Sequence, residues 1–195
     1  MNLQEVHNFW RNPDAKNDPE KYLHEWDRTE FLIGIFEKYI KKNKSVLEIG
    51  CNSGRNLSGL CGVGYKKLSG IEINENAVAI LRKTFPCLDS IEIYNGPVEI
   101  EIKKIDSVDV IFTMAVLEHI HNASEQFLFS RINDICKEYL ITIEDENKIS
   151  PRHFKRNYKT VFEAYNYNQV EIIRCKDIKG LGRNYNARIF RRKNV

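Results

Sequence analysis

A chain of 195 residues, 42% hydrophobic and 29% charged, has the make-up of a single globular domain able to bury a sizeable core. Its net charge of +3 is too mild to mark a nucleic-acid partner, and no apolar run is long enough to span a bilayer, so neither partner is expected. Residues 1–7 lack a basic-then-apolar signal pattern, and the five scattered cysteines form no C-x-x-C, which points to reduced thiols in a cytoplasmic protein rather than disulfides or a zinc site.

Near the N-terminus Phe9, Trp10, Tyr22 and Trp26 make an unusually aromatic segment, expected to cap one edge of the core. Asp18-Pro19-Glu20 predicts a helix start: a side-chain acceptor at the cap, proline at the first helical position, and an acid near the positive end of the dipole. Phe31, Leu32, Ile35, Phe36, Tyr39 and Ile40 then recur at helical spacing, so that one face packs on a sheet.

From residue 45 the pattern alternates. Strands are predicted at 45–49, 67–73, 90–94, 108–113 and 139–143. Between them lie a helix at 55–63 and one capped by Asn74, carrying Ala77, Val78 and Leu81, and stopped at Pro86. A third helix carries Phe127, Leu128, Ile132, Ile135 and Cys136, with Ser124 as its cap. Such alternation predicts an α/β fold, doubly wound, with a mostly parallel sheet and helices on both faces. Beyond Glu144 a polar stretch (145–156) leads to a short helix at 160–165 and strands at 169–175 and 187–191. Gly180, Gly182 and Asn184 lie between those strands, as an antiparallel hairpin needs. One domain is expected over 1–195: a helical cap (1–44), a core (45–144) and a C-terminal helix and hairpin (145–195).

The stretch 46–54, Val-Leu-Glu-Ile-Gly-Cys-Asn-Ser-Gly, concentrates the chemical information. A buried strand enters a turn at which Gly50 and Gly54, lacking a Cβ, let backbone amides approach a ligand closely. The acidic Glu72 stands about 20 positions beyond that loop, at the tip of the second strand, where nucleotide-binding βαβ units hold a ribose diol. Together they predict a pocket for an adenosine-bearing cofactor. A dinucleotide would need glycines at 52 and 55, but the chain has Asn52 and Arg55. Glu48 would also repel phosphates, whereas it suits an ammonium or sulfonium.

Residues 46–54 resemble motif I of class I S-adenosylmethionine-dependent methyltransferases, with Asn52 in place of the middle glycine of Gly-x-Gly-x-Gly. Ile71-Glu72-Ile73 resembles the family's ribose-binding strand end, and 109–120, Asp-Val-Ile-Phe-Thr-Met-Ala-Val-Leu-Glu-His-Ile, its fourth-strand motif. The resemblance spans about 45–144. It implies a Rossmann-like sheet of seven strands with an antiparallel last strand, S-adenosylmethionine as cofactor and S-adenosylhomocysteine as product. It further implies cofactor contacts from Glu48, Gly50, Cys51, Asn52, Ser53, Gly54, Asn56, Glu72 and Ile73. Gly96 and Val98 would flank adenine, with Met114 and Leu117 either on its other face or in the plain core; Glu99 stands one step late for an acidic adenine partner. Arg28 would meet the methionyl carboxylate if the N-terminal segment closes over the cofactor.

Methyl transfer from a sulfonium depends chiefly on alignment, and a base is needed only where the acceptor must lose a proton early. The candidates are His119, Glu118 and His153, with His119 first because an imidazole titrates near neutral pH. The alternative is that Glu118 and His119 only cap a helix and shape the loop. Glu118, His119 and His121 stand close together in the sequence, but no further ligand cluster joins them, so no metal is expected. Glu144, Asp145 and Glu146 form either a group orienting the acceptor or a solvated loop. Arg152, His153, Lys155 and Arg156 would favour an anionic acceptor if they face the crevice. By overall similarity to compact bacterial methyltransferases, the acceptor is expected to be a small molecule, a hydroxyl of a sugar, nucleotide-linked or phosphate-bearing polysaccharide precursor. The alternatives are an RNA or protein methyltransferase using the basic C-terminus (Arg183, Arg188, Arg191, Arg192, Lys193), and a non-catalytic cofactor-binding partner subunit. No Asn-Pro-Pro-Tyr follows the fourth strand, where the chain has Thr-Met-Ala-Val. A nicotinamide-dependent oxidoreductase is disfavoured by the loop.

Overall fold

The computed structural model describes residues 1–193; positions 194 and 195 of the expected domain lie outside them. Seven strands form: β1 (Ser45–Ile49), β2 (Lys67–Glu72), β3 (Glu92–Asn95), β4 (Val108–Met114), β5 (Cys136–Asp145), β6 (Tyr167–Arg174) and β7 (Tyr185–Arg192). They pair in one sheet in the order β3-β2-β1-β4-β5-β7-β6, and β7 runs antiparallel to both its neighbours, β5 and β6. The expected seven-stranded, mostly parallel sheet with an antiparallel last strand is what forms.

The central strands are apolar on both faces because helices cover both. On one side α2 (Trp26–Tyr39) and α3 (Arg55–Gly62) bury Leu32, Phe36, Leu57 and Leu60 against Val46 and Phe112. On the other, α6 (Asn122–Ile135) and α7 (Tyr158–Glu163) bury Leu128, Phe129, Ile132 and Phe162 against Leu47, Ile49 and Ile111. After the buried Tyr167 the outer strand β6 alternates exposed and half-buried side chains, as a strand at the sheet margin should.

Three local predictions need correction. Asp18-Pro19-Glu20 opens a short 3-10 helix (Pro19–His24), and α2 begins only at Trp26, because Glu25 (φ −89°, ψ 53°) leaves helical geometry. Ser124 is not the cap of α6: it lies buried in the first turn, and His121 caps by accepting from the Ala123 amide at 3.1 Å. Cys136 belongs to β5, where pairing with Val108 extends the strand backwards. A helix absent from the sequence reading, α1 (Leu3–Arg11), is set by a capping box in which Asn2 and Glu5 satisfy each other's backbone amides. Two short helices, α4 (Glu75–Thr84) and α5 (Val98–Glu101), complete the chain's connections, and Asn74 caps α4 as predicted. No helix among the described residues is long and apolar enough to cross a membrane.

Candidate active site

The carboxyl ends of β1, β2 and β4 and the loop after β3 open onto a cavity of about 460 Å³, as open α/β sheets favour. Its floor is the turn from β1 into α3. The amides of Gly50 and Cys51 both donate to the Ile71 carbonyl, at 2.8 and 3.0 Å, which swings the chain across the end of β2. Gly50 is required by space as well as by its φ of +73°: a Cβ there would sit 2.3 Å from Val116 Cγ2. Asn52 adopts φ +47°, a left-handed conformation that asparagine tolerates better than most residues, and its side-chain oxygen accepts from the Ser53 amide at 2.7 Å. The departure from the family's glycine is thus compatible with the turn. Gly54 does not line the cavity; with φ +80° it starts α3 and packs against Leu81 and Leu88.

Glu72 closes this floor. Its carboxylate accepts from the Asn52 amide at 2.7 Å and the Asn74 amide at 2.8 Å, and burial raises its pKa. Two amides occupy only part of a carboxylate's acceptor capacity, and the side chain lines the cavity.

A buried polar chain forms the opposite wall. Arg55 Nε donates to Thr29 Oγ1 at 2.8 Å, Thr29 donates to Asn56 Oδ1 at 2.9 Å, and Asn56 Nδ2 donates to Glu48 Oε1 at 2.8 Å. Glu48 is 2% exposed, and its other oxygen has no partner. Burial pushes the Glu48 pKa up to about 8, with Asn56 and Arg55 opposing and Glu72 reinforcing the rise. An orphaned buried oxygen of this kind fits the ammonium of the cofactor expected from the sequence, whose charge would favour the carboxylate form. Arg28 reaches the cavity, but its guanidinium pairs with Glu25 at 3.0 Å and donates to the Gly180 carbonyl, leaving only Nε unpartnered. Arg55 was missed in the sequence, where an arginine opening a helix reads as solvent-facing.

At the adenine end expected from the resemblance, Ile71, Ile73, Gly96, Pro97, Val98 and Met114 line the cavity. Glu99 lines it too and pairs with His7 of α1 at 3.3 Å. Leu117 does not: it is fully buried in the core beneath α6, and Val116 takes the cavity wall instead. Cys51 and Ser53 line the floor, and burial drives the Cys51 thiol well above its ordinary pKa, which leaves it unreactive.

Beyond Met114 stand Glu118, His119 and His153. His119 Nε2 lies 3.5 Å and His153 Nε2 3.8 Å from Glu118 Oε1. Trp10 of α1 covers His119 at 4.4 Å between ring centres, so the aromatic terminus roofs this end of the cavity. Burial pushes His119 down to about 3 and His153 down to about 4, so both rings are neutral at physiological pH, away from the near-neutral titration expected. His121 is spent on capping α6. Glu144 also stands apart: fully buried behind the cavity, it accepts from Thr113 Oγ1 at 2.6 Å and from the Val116 and Glu118 amides, fixing the loop after β4. Asp145 and Glu146 are buried rather than solvated, and Glu146 holds Arg188 at 2.5 Å. Of the basic stretch, only Arg152 and His153 face the cavity. Lys155 is exposed, and Arg156 is a buried clamp on the carbonyls of Leu117, Phe154 and Ile120.

Comparison with known proteins gives three kinds of likeness. The family profile described as a methyltransferase domain matches residues 18–147. The tRNA U34 carboxymethyltransferase of Shewanella oneidensis is 26% identical over 135 residues, 64% of this chain and 38% of that protein. The ribosomal protein L11 methyltransferase of Macrococcus caseolyticus is 25% identical over 171 residues, 80% of this chain and 53% of that protein. The chain therefore spans only about two fifths to one half of these relatives. Among solved structures, magnesium protoporphyrin IX methyltransferase from Synechocystis, with bound S-adenosylmethionine, superposes with a TM-score of 0.75 at 11% identity, covering 98% of this chain and 97% of that one. A methyltransferase from Archaeoglobus fulgidus gives 0.66 at 18% identity, covering 90% and 100%. At such identities these two speak for the fold alone.

Proposed function

Because the chain belongs to the methyltransferase-domain family, we propose that it is an S-adenosylmethionine-dependent methyltransferase. The observation that carries this reading is the pair of buried acids across one cavity: Glu48 with a free oxygen, and Glu72 locked under the glycine turn. Glu48 would hold the ammonium, Glu72 the ribose diol, and Gly96, Val98 and Met114 the adenine. When bound, the cofactor would supply a methyl group already activated on a sulfonium. The protein's share is then alignment of the acceptor and exclusion of water, for which α1 supplies a roof through Phe9 and Trp10.

For the acceptor we favour a small anionic molecule carrying a hydroxyl, such as a phosphate-bearing or nucleotide-linked sugar. Support comes from the roofed end of the cavity and from its cationic rim, Lys16, Lys148 and Arg152. A second reading, methylation of RNA or protein, draws on the printed activities of the two sequence relatives. A third, a partner subunit that binds the cofactor without turnover, keeps the same pocket. Five free thiols, four of them buried, favour a reducing cytoplasmic setting.

The deciding experiment is calorimetric titration with S-adenosylhomocysteine and NAD in parallel, followed by turnover assays with phosphorylated sugars and with tRNA over a range of salt. Micromolar binding of the first ligand alone supports the cofactor assignment. NAD binding, or neither, removes it. Turnover on tRNA with a steep salt dependence would replace the small-molecule reading.

A further inference from the structure

Glu118, His119 and His153 each present one ligand-type atom within 4.8 Å of the others. We infer that this cluster is a site for a divalent first-row transition-metal cation whose remaining coordination positions face the cavity.

The atoms are oriented for it. His119 Nδ1 lies 2.6 Å from the Arg152 carbonyl, which can only accept, so Nδ1 carries the proton and Nε2 presents a bare lone pair. Nε2 lies 3.5 Å from Glu118 Oε1, a carboxyl oxygen. Two acceptors this close call for a shared proton or a cation between them, and a second imidazole on the same oxygen favours the cation. His153 Nε2 faces the same oxygen at 3.8 Å. A tetrahedral ion with bonds of about 2.0–2.1 Å sets its ligand atoms about 3.4 Å apart, so small movements suffice to close the set.

Each ligand also has an outer partner, the arrangement that fixes ligand orientation at metal centres. The Tyr185 hydroxyl donates to Glu118 Oε1 at 2.9 Å, the Arg152 carbonyl holds His119, and Ser150 Oγ lies 2.6 Å from His153 Nδ1. The two nearby cations do not fill the space: the Arg152 guanidinium stacks 3.6 Å over Phe9, and Lys148 stands exposed at the rim. Two imidazoles and one carboxylate suit manganese, iron, cobalt or zinc rather than magnesium or calcium, and three protein ligands leave open positions as catalytic sites do. On the methyltransferase reading above, on which this step rests, a hydroxyl of the acceptor takes an open position. Its O–H bond breaks, the electron pair stays on oxygen, and the proton leaves to water, because the ion lowers the hydroxyl pKa.

The test is calorimetric titration of the chelator-treated full chain with MnCl₂, CoCl₂ and ZnCl₂, with S-adenosylhomocysteine titrated separately. One ion per chain at micromolar affinity is expected, weakened at least about tenfold in His153→Ala, since loss of an outer-shell partner alone costs 10–100-fold. S-adenosylhomocysteine should bind His153→Ala as it does the parent, which shows that the variant is folded. Should that variant fail to fold, paramagnetic Co²⁺ on the parent decides: ligation shifts the ring signals of two of the five histidines. Millimolar or weaker binding by the parent, unchanged affinity in His153→Ala, or a Co²⁺ spectrum without the very large contact shifts of two directly bonded histidine rings would overturn the site. Metal binding without any S-adenosylhomocysteine binding would leave the site standing and remove the methyltransferase reading instead.

Discussion

Glu48 makes the cofactor assignment testable through protons. Its pKa is pushed to about 8 by burial, one oxygen is held by Asn56, and the other is unpartnered. An ammonium placed against that oxygen would ionise the carboxyl. With a pKa near 8 in the free protein, about 0.9 of the Glu48 carboxyls are protonated at pH 7, so binding of S-adenosylhomocysteine should release nearly one proton. Linkage then makes the affinity rise about 50-fold between pH 6 and pH 8 if the bound-state pKa falls below 6. The assay is calorimetry at pH 7 in buffers of different ionisation enthalpy. Glu48→Gln keeps an acceptor for Asn56 but cannot ionise; it should abolish the released proton and weaken binding by about 1.5–3 kcal/mol, about 10- to 150-fold. The same acid sets the sign for the ligand-free protein. Its folded pKa lies above the unfolded value of 4.5, so its contribution to stability is full below about pH 4.5 and is lost as pH rises through about 8. Release of less than about 0.2 proton by the parent at pH 7, far below the linkage expectation, or equal release by Glu48→Gln, would refute the reasoning.

Three further substitutions probe the frame. Glu72→Gln leaves one acceptor oxygen for the Asn52 and Asn74 amides, so thermal denaturation should shift down by about 3–12 °C and S-adenosylhomocysteine should bind less tightly; unchanged affinity would take the ribose away from Glu72. Gly50→Ala places a Cβ 2.3 Å from Val116 Cγ2 at a φ of +73°. It should cost about 1–3 kcal/mol in chemical denaturation and reduce cofactor binding, and a neutral result would mean the turn relaxes freely. Arg156→Met strands the carbonyls of Leu117, Ile120 and Phe154 and removes a pairing with Glu125. The loss expected is about 3 kcal/mol, roughly 6–12 °C in the melting temperature, whereas a fall within error would show that water replaces the clamp.

Local and periodic signals were enough for much of this protein. Strand-and-helix alternation between residues 45 and 144 gave the parallel sheet, because apolar periodicity reports burial directly. The turn 50–54 and Glu72 were legible because the positive φ at Gly50 and an acid at a strand tip are requirements of backbone chemistry and leave a trace in residue type. Asn52 was legible only as an anomaly; its left-handed conformation explains why the side chain is tolerated. Other features depend on chain segments far apart in sequence. Leu117 and Val116 are adjacent apolar residues, and only the packing of α6 sends one to the core and the other to the cavity. Arg55 looks like a solvent-facing helix residue until Thr29, Tyr22 and Asn56 surround it. His153 joins Glu118 and His119 because the Phe154 amide bonds to the Glu118 carbonyl, bridging 36 positions of chain. Sequence alone determined the scaffold and the glycine turn that floors the cavity, whose chemistry is written in short spacings. Tertiary structure decided which ionisable groups lose their water and which ligands meet, since both depend on contacts that no local pattern encodes.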